Sequence, residues 1–307
     1  MQKYSDYIGR FAPSPTGDLH MGSLITALAS YLRARSQNGK WLLRIEDVDT
    51  TRAQKNSIIS ILKTLESHGL YWDDEIIYQS QRNKIYSEYL QLLKEKKLLY
   101  KCICSRKKLS QCEKNPVTYE AIYPGFCKYL SNEKMAQYSI RITIHDDNKI
   151  SFTDLIQGKH EQDISKEVGD FILWRNENIA TYQLAVVVDD ELQGVTEVVR
   201  GSDLLWQTPR QIYLQKRLNF KTPQYLHIPI ATNEKNQKLS KQTKAKQLKN
   251  EEAVENILQA LIFLGFNNDI IQKAKDLNFS PFDLINYAIP LFGYLKIPKK
   301  MEIITQY

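Results

Sequence analysis

Two short segments of this chain hold residues whose types and spacing can do chemistry. The first is Arg10-Phe11-Ala12-Pro13-Ser14-Pro15-Thr16-Gly17-Asp18-Leu19-His20-Met21-Gly22-Ser23. It reads as a strand that ends in a Pro- and Gly-containing turn, with a helix starting within residues 20–23. Backbone N–H groups at a helix start, together with the helix dipole, favour a phosphate. His20 can donate to a developing phosphoryl charge, and Gly22 lets a nucleotide approach the backbone. The same residues also suit an ordinary strand–turn–helix corner with a surface histidine. The second segment is Lys238-Leu239-Ser240-Lys241-Gln242, inside a run of six lysines at 235, 238, 241, 244, 246 and 249. Two ammonium groups three positions apart can clamp triphosphate charge as it redistributes. A solvated lysine run or a plain RNA contact fits that segment as well.

A third cluster is cysteine. All four cysteines, Cys102, Cys104, Cys112 and Cys127, fall in one short window. Such clustering suggests metal binding or redox chemistry rather than a disulfide framework. Spacing alone leaves a zinc site and buried free thiols both open.

The elements that must position these residues alternate in type. Residues 8–12 and 41–46 read as strands, the second too apolar for an exposed edge. Helical spacing runs over 19–36 (Leu24, Ile25, Leu28, Leu32, with a stop at Gly39), over 52–68, closed by Gly69, and over 82–98. Strands alternating with helices predict a parallel sheet with crossover connections. Regular periodicity fades over 101–137. Residues 139–144 and 150–155 then read as a strand pair around the turn-forming Asp146-Asp147-Asn148. The α/β rhythm resumes near Tyr182, with strands at 196–200 and 225–231 and a helix at 209–218. The expected organisation is a split catalytic α/β domain over 1–100 and 179–250, an inserted subdomain over 101–178 and a helical region over 251–307.

Composition sets the outer bounds. The chain has 307 residues, 42% hydrophobic and 25% charged, as an ordinary globular protein does. No apolar stretch reaches the roughly 18 residues of a membrane span, and the N-terminus lacks a signal-peptide core, so a cytoplasmic address with no membrane partner is expected. Forty-two Lys and Arg against 35 Asp and Glu give a formal charge of +7. That excess is compatible with a polyanionic partner and equally with a lysine-rich surface.

The histidine corner and the lysine loop together resemble the HIGH and KMSKS signatures of class I aminoacyl-tRNA synthetases, in order and with an insertion between them. RFAPSPTGDLHMGS, RIEDVDTTR, AVVVDDELQGVTEVVRGSDLLWQTPRQ and KLSKQ resemble the glutamyl-tRNA synthetases over roughly residues 7–245. The resemblance implies a Rossmann-type nucleotide-binding domain with an inserted α+β zinc-containing subdomain. It implies a ligase that activates L-glutamate with ATP, the ATP carrying Mg2+. Arg10, Phe11, Ala12, Pro13, Ser14, Glu46, Tyr182 and Arg200 would line the glutamate pocket, with Glu46 taking the substrate amine. His20, Gly22, Ser23, Lys238, Ser240 and Lys241 would bind ATP, with His20 and Lys241 catalytic. Ser23 stands where other class I enzymes have a second histidine, so His20 carries more of the burden. Asp189 and Asp190 fall in a motif segment with no catalytic role assigned.

Only 65 residues follow Gln242, fewer than the helical anticodon-binding region of glutamyl-tRNA synthetases needs. The resemblance therefore points to a shorter paralogous branch, which glutamylates queuosine in tRNA(Asp). A truncated enzyme charging the 3′ end of tRNA(Glu) and a catalytically silent RNA-binding paralogue stand as alternatives. The same resemblance makes Cys102, Cys104, Tyr123 and Cys127 the ligands of one structural zinc, with Cys112 and Tyr119 as competitors.

Overall fold

The computed structural model describes residues 5–51, 53–130, 137–145, 149–234 and 246–305. The chain opens with β1 (Ile8–Phe11), α1 (Met21–Ser36), β2 (Lys40–Ile45), α2 (Lys55–Ser67), β3 (Asp73–Tyr78) and α3 (Asn83–Glu95). Next come β4 (Leu99–Cys102), a single-turn α4 (Arg106–Leu109), β5 (Ser139–Ile142), β6 (Lys149–Asp154), β7 (Gly158–Asp163), a short α5 (Ile164–Glu167) and β8 (Ile172–Trp174). The remainder is α6 (Tyr182–Leu192), β9 (Glu197–Gly201), α7 (Thr208–Leu218), β10 (Gln224–Ile228), β11 (Ile230–Thr232), α8 (Ala253–Phe263), α9 (Asp269–Asp276), α10 (Pro281–Ala288) and β12 (Glu302–Ile304).

The expected parallel α/β arrangement is present. β1, β2 and β3 form one parallel sheet in that order. β7, β6, β10 and β9 form another, in which β6, β10 and β9 run parallel and β7 antiparallel. Ile8 and Thr196 join the two, since Thr196 N–H donates to the Ile8 carbonyl at 2.9 Å and Ile8 N–H donates to Thr196 Oγ1 at 3.0 Å. Strand order therefore reverses between β1 and β9. Open α/β sheets hold ligands in the crevice at the carboxyl ends of the strands where the order reverses.

Helix α1 is buried almost all round. Leu24, Leu28 and Leu32 are fully covered, and they share one core with Trp41 and Leu43 of β2 and with Ile257, Leu261, Leu284 and Ile285 of α8 and α10. Each such side chain contributes roughly 1.5–3 kcal/mol of burial. Asn38 takes the left-handed turn that ends the helix (φ 52°). Gly39, expected as the stop, is required instead by close approach: a Cβ there would stand 2.5 Å from the Tyr7 carbonyl oxygen.

Three expectations change. The segments 139–144 and 150–155 contain strands, but these do not pair with each other. β5 lies between β4 and β8, while β6 pairs with β7. The tight turn sits at Asp154–Gly158, where Asp154 Oδ1 accepts from Ile156 and Gln157 N–H at 3.0 and 2.8 Å; residues 146–148 lie outside those described. The hairpin β6–β7 also enters the sheet of β9 and β10, with Asp154 in register with Tyr225, so part of segment 101–178 is built into the same sheet as the downstream strands. Beyond α10, β12 pairs with β11 in a region expected to be helical.

Gly169 has φ +72°, and a Cβ there would fall 2.1 Å from the Tyr123 carbonyl oxygen. Gly169→Ala is expected to cost about 2 kcal/mol or more, read as a lowered urea midpoint with an unchanged slope; a midpoint equal to wild type would contradict the close approach.

Candidate functional site

A cavity of about 790 Å³ opens at the reversal between β1 and β9. Each wall comes from the end of an element. The end of β1 supplies Arg10 and Phe11, and the turn after it Ala12, Pro13 and Ser14; the start of α1 supplies His20, Gly22 and Ser23; β2 is followed by Glu46; α6 begins with Tyr182; and β9 carries Arg200. All eight residues expected to line a glutamate pocket, and the three expected at the phosphate corner, thus face one cavity. Phe11 contributes from the core side, its ring stacked on Trp41 at 6.2 Å.

The floor is a buried ion network. Arg10 Nε donates to Asp190 Oδ1 at 3.2 Å, and Arg44 Nη1 stands 2.8 Å from the same oxygen. Arg44 also reaches Glu46 Oε1 at 3.5 Å and Gln193 Oε1 at 2.7 Å. Burial disfavours ionised Asp190, yet Arg10 and Arg44 hold its carboxyl below the usual range. Burial raises the Glu46 carboxyl, against the pull of Arg44 and Arg10. Adjacent helical residues point about 100° apart, so Asp189 turns elsewhere: its carboxylate accepts from Arg82 Nε at 2.7 Å, Gln79 Nε2 at 2.8 Å and Tyr86 Oη at 2.7 Å. Of the two aspartates in α6, Asp189 is thus answered by Arg82, and Asp190 by Arg10 and Arg44.

Arg200 is held differently. Its Nε donates to His227 Nε2 at 3.0 Å, Nη1 to Tyr182 Oη at 3.3 Å, and Nη2 to Thr208 Oγ1 at 2.9 Å and the Leu204 carbonyl at 3.3 Å. His227 Nδ1 in turn stands 2.6 Å from Asp154 Oδ2. Arg44, Asp154 and His227 were not singled out from sequence. A signal existed: Arg44 and His227 are the lone ionisable residues inside the apolar runs WLLRI and YLHI, and a charge in a buried strand needs a partner.

At the phosphate corner, His20 is the N-cap of α1, and its Nδ1 accepts the Ser23 N–H at 3.3 Å. That bond places the ring proton of neutral His20 on Nε2, which donates to Ser23 Oγ at 3.2 Å. Lys238, Ser240 and Lys241 lie outside the described residues, but described residues on either side of them line this cavity or contact residues that do. Upstream, Ile230 and Ala231 line it. Downstream, Gln247 is bridged to His20, and Leu248 N–H donates to the Leu19 carbonyl at 3.2 Å.

Away from the cavity, the sulfurs of Cys102, Cys104 and Cys127 lie within 4.8 Å of one another, a group able to hold a metal ion. Tyr123 Oη sits 3.4 Å from Cys102 Sγ and 3.5 Å from Cys104 Sγ, and the sulfurs of Cys104 and Cys127 are 3.5 Å apart. These edges are close to those of a tetrahedron with bonds of about 2.3 Å. Cys112 instead contacts the Lys108 carbonyl at 3.9 Å, and Tyr119 is exposed. Arg141, also not foreseen, donates from Nε to Cys102 Sγ at 3.2 Å and lies 3.7 Å over the Tyr123 ring. Its cation offsets thiolate charge. No helix among the described residues is long and apolar enough to cross a membrane.

Comparison with known proteins agrees with this geometry. The family model for the catalytic domain of class I tRNA synthetases (E and Q) matches residues 8–279. The glutamyl-Q tRNA(Asp) synthetase of Pseudomonas putida is 46% identical over 265 residues, 86% of this chain and 85% of that protein. The protein of the same name from Thiobacillus denitrificans is 46% identical over 258 residues, 84% of this chain and 85% of its own length. Among solved structures, a glutamate tRNA ligase from Elizabethkingia meningosepticum, in complex with its amino acid, superposes with a TM-score of 0.77 at 25% identity, covering 96% of this chain. The glutamate-tRNA synthetase of Elizabethkingia anophelis gives 0.78 at 25% identity, covering 98%. The chain spans 66% and 68% of the lengths of those two structures.

Arg44→Met leaves two buried carboxylates under-compensated, and the expected loss is about 3–5 kcal/mol. Lys40→Met, which removes the half-exposed pair with Asp74, is expected to cost under about 1 kcal/mol. Urea denaturation of both variants checks the contrast, and equal losses would deny the buried network its weight.

Proposed function

The chain belongs to the class I tRNA synthetases (E and Q), among relatives named glutamyl-Q tRNA(Asp) synthetase, and from that membership we propose that it glutamylates queuosine in tRNA(Asp) at the expense of ATP. It is a ligase. One observation carries the reading: a cavity that joins fixed charges of both signs, suited to an acidic amino acid, to a histidine-capped helix start suited to phosphates.

Glutamate enters with its side-chain carboxylate toward Arg200 and Tyr182 and its ammonium toward Glu46. A guanidinium N–H beside a tyrosine hydroxyl suits a carboxylate, and a buried carboxylate suits an ammonium. An oxygen of the α-carboxylate attacks the α-phosphorus of ATP, the bond to the bridging oxygen breaks, and pyrophosphate leaves. The enzyme supplies no covalent nucleophile. It positions the reactants and stabilises charge. The N-terminus of α1, with Gly22, Ser23 and the ring of His20, meets the phosphates, joined by Lys238, Ser240 and Lys241, which lie outside the described residues. Mg2+ arrives with ATP. A queuosine hydroxyl then attacks the glutamyl carbonyl, giving up its proton as AMP departs.

Zinc is the metal proposed for Cys102, Cys104, Cys127 and Tyr123. A closed set of four donors leaves no open position, so when bound it supplies rigidity rather than chemistry. It would brace the β4–β5–β8 part of segment 101–178, within a cytoplasmic enzyme.

Incubation with labelled glutamate, ATP and total tRNA, with and without queuosine, tests the function. Label is expected in the anticodon-loop fragment of tRNA(Asp) and only when queuosine is present. The similar solved structures are glutamate tRNA ligases, so label at a terminal adenosine would favour charging of tRNA(Glu) instead. Absence of glutamate-dependent pyrophosphate exchange, with or without RNA, would favour a silent binding protein. For the metal, stripping with a strong chelator and the substitution Cys127→Ser should each lower the thermal midpoint and the zinc content. Cys112→Ser should change neither; zinc retained in Cys127→Ser would remove the site.

A further inference from the structure

The two arginines of the glutamate cavity are neutralised to different degrees. Arg10 forms an ion pair with Asp190, whereas among the described residues Arg200 forms none. The acceptor on Arg200 Nε is an imidazole nitrogen, not a carboxylate. Behind it stands Asp154, 1% exposed, whose carboxylate accepts from the N–H groups of Ile156, Gln157 and His227 as well as facing His227 Nδ1. Four hydrogen bonds keep a buried carboxylate ionised and fixed.

This geometry sets the histidine tautomer. An ionised carboxylate can only accept, so Nδ1 carries the proton; an arginine can only donate, so Nε2 offers its lone pair. Burial pushes His227 down to about 4, which keeps the ring neutral at pH 7. Parallel pairing of β9 with β10 puts His227 directly beside Arg200 in register. With Nε on His227, Nη2 on Thr208 and Leu204, and Nη1 giving one hydrogen to Tyr182, a single N–H of Nη1 remains for a ligand in the cavity.

We propose that Asp154 and His227 are positioning residues that fix the guanidinium of Arg200 through a neutral imidazole, so that Arg200 keeps its full charge for the side-chain carboxylate of the substrate. A carboxylate in place of the ring would orient the guanidinium equally well but would cancel the charge that distinguishes a carboxylate from an amide. The imidazole separates the two jobs. The inference rests on the glutamate reading of the cavity.

The test pairs two amides with different geometry. In His227→Gln the amide oxygen falls near the position of Nε2 and still accepts from Arg200. In His227→Asn the amide nitrogen falls near Nδ1, retaining the bond to Asp154 and losing the one to Arg200. In pyrophosphate exchange, His227→Asn is expected to raise the KM for glutamate about 10-fold or more, with the KM for ATP within about twofold of wild type. His227→Gln should recover most of that loss. Equal effects of the two amides, or parallel increases in both KM values, would overturn the proposal in favour of a general packing role. A second readout does not need turnover: nitrogen NMR of histidine-labelled wild-type protein should show His227 as the neutral Nδ1–H tautomer at pH 7. An Nε2–H tautomer or an imidazolium would overturn the proposal even in active enzyme. Wild-type protein with no glutamate-dependent exchange but with the expected tautomer would instead refute the glutamate reading and leave the relay standing.

Discussion

A cavity for an acidic amino acid must hold fixed charges of both signs away from water, and each such charge costs several kcal/mol to desolvate unless it is paired. Arg10, Arg44 and Arg200 on one side and Glu46, Asp154 and Asp190 on the other meet that requirement. None of these residues finds all its partners on its own element. β1 supplies Arg10, β2 supplies Arg44, and α6 supplies Asp190, so the network exists only when strand, strand and helix are assembled. The apolar cores on either side exclude the water that would weaken it.

Sheet topology explains where the network can sit. With β1 and β9 adjacent and their crossovers diverging, the carboxyl ends of both strands border a crevice that no helix fills. Helix α1, covered by β2 on one side and by α8 and α10 on the other, presents its N-terminus to that crevice. Burial along its whole length makes the helix a rigid mount for His20. Downstream of the lysine segment, Gln247 and Leu248 meet the same point. The halves proposed to bind the acid and the phosphates are therefore built on one frame.

The parts legible in the sequence were those whose geometry is local. A histidine between a Pro-Gly turn and an apolar helical repeat can hardly avoid the N-cap, and His20 occupies it. Three cysteines within a short window meet because the chain needs only one loop to return. The choice of Tyr123 over Tyr119 and Cys112 was not local; it follows from the bridge between Tyr123 and Gly169. Glu46 and Arg200 came from resemblance to a family, not from spacing. Arg44, Asp154 and His227 escape a sequence reading because key partners are distant: Asp154 and His227 are separated by 73 residues, Arg44 and Gln193 by 149. The misassigned strand pair has the same origin, since the periodicity of a strand identifies its faces but not its neighbour.

The parallel pairing of β6 with β10 has a consequence for how relatives of this chain can be recombined. Asp154 lies within the segment expected to interrupt the α/β fold, yet its hydrogen bonds reach His227 of β10. A graft that exchanged the whole interruption between two relatives would carry one end of a pocket-side polar chain and leave the other behind. Viable chimeras would have to make their crossovers upstream of Lys149 or match the residue at 154 to the residue at 227, which makes this stretch a poor module and a good record of shared ancestry.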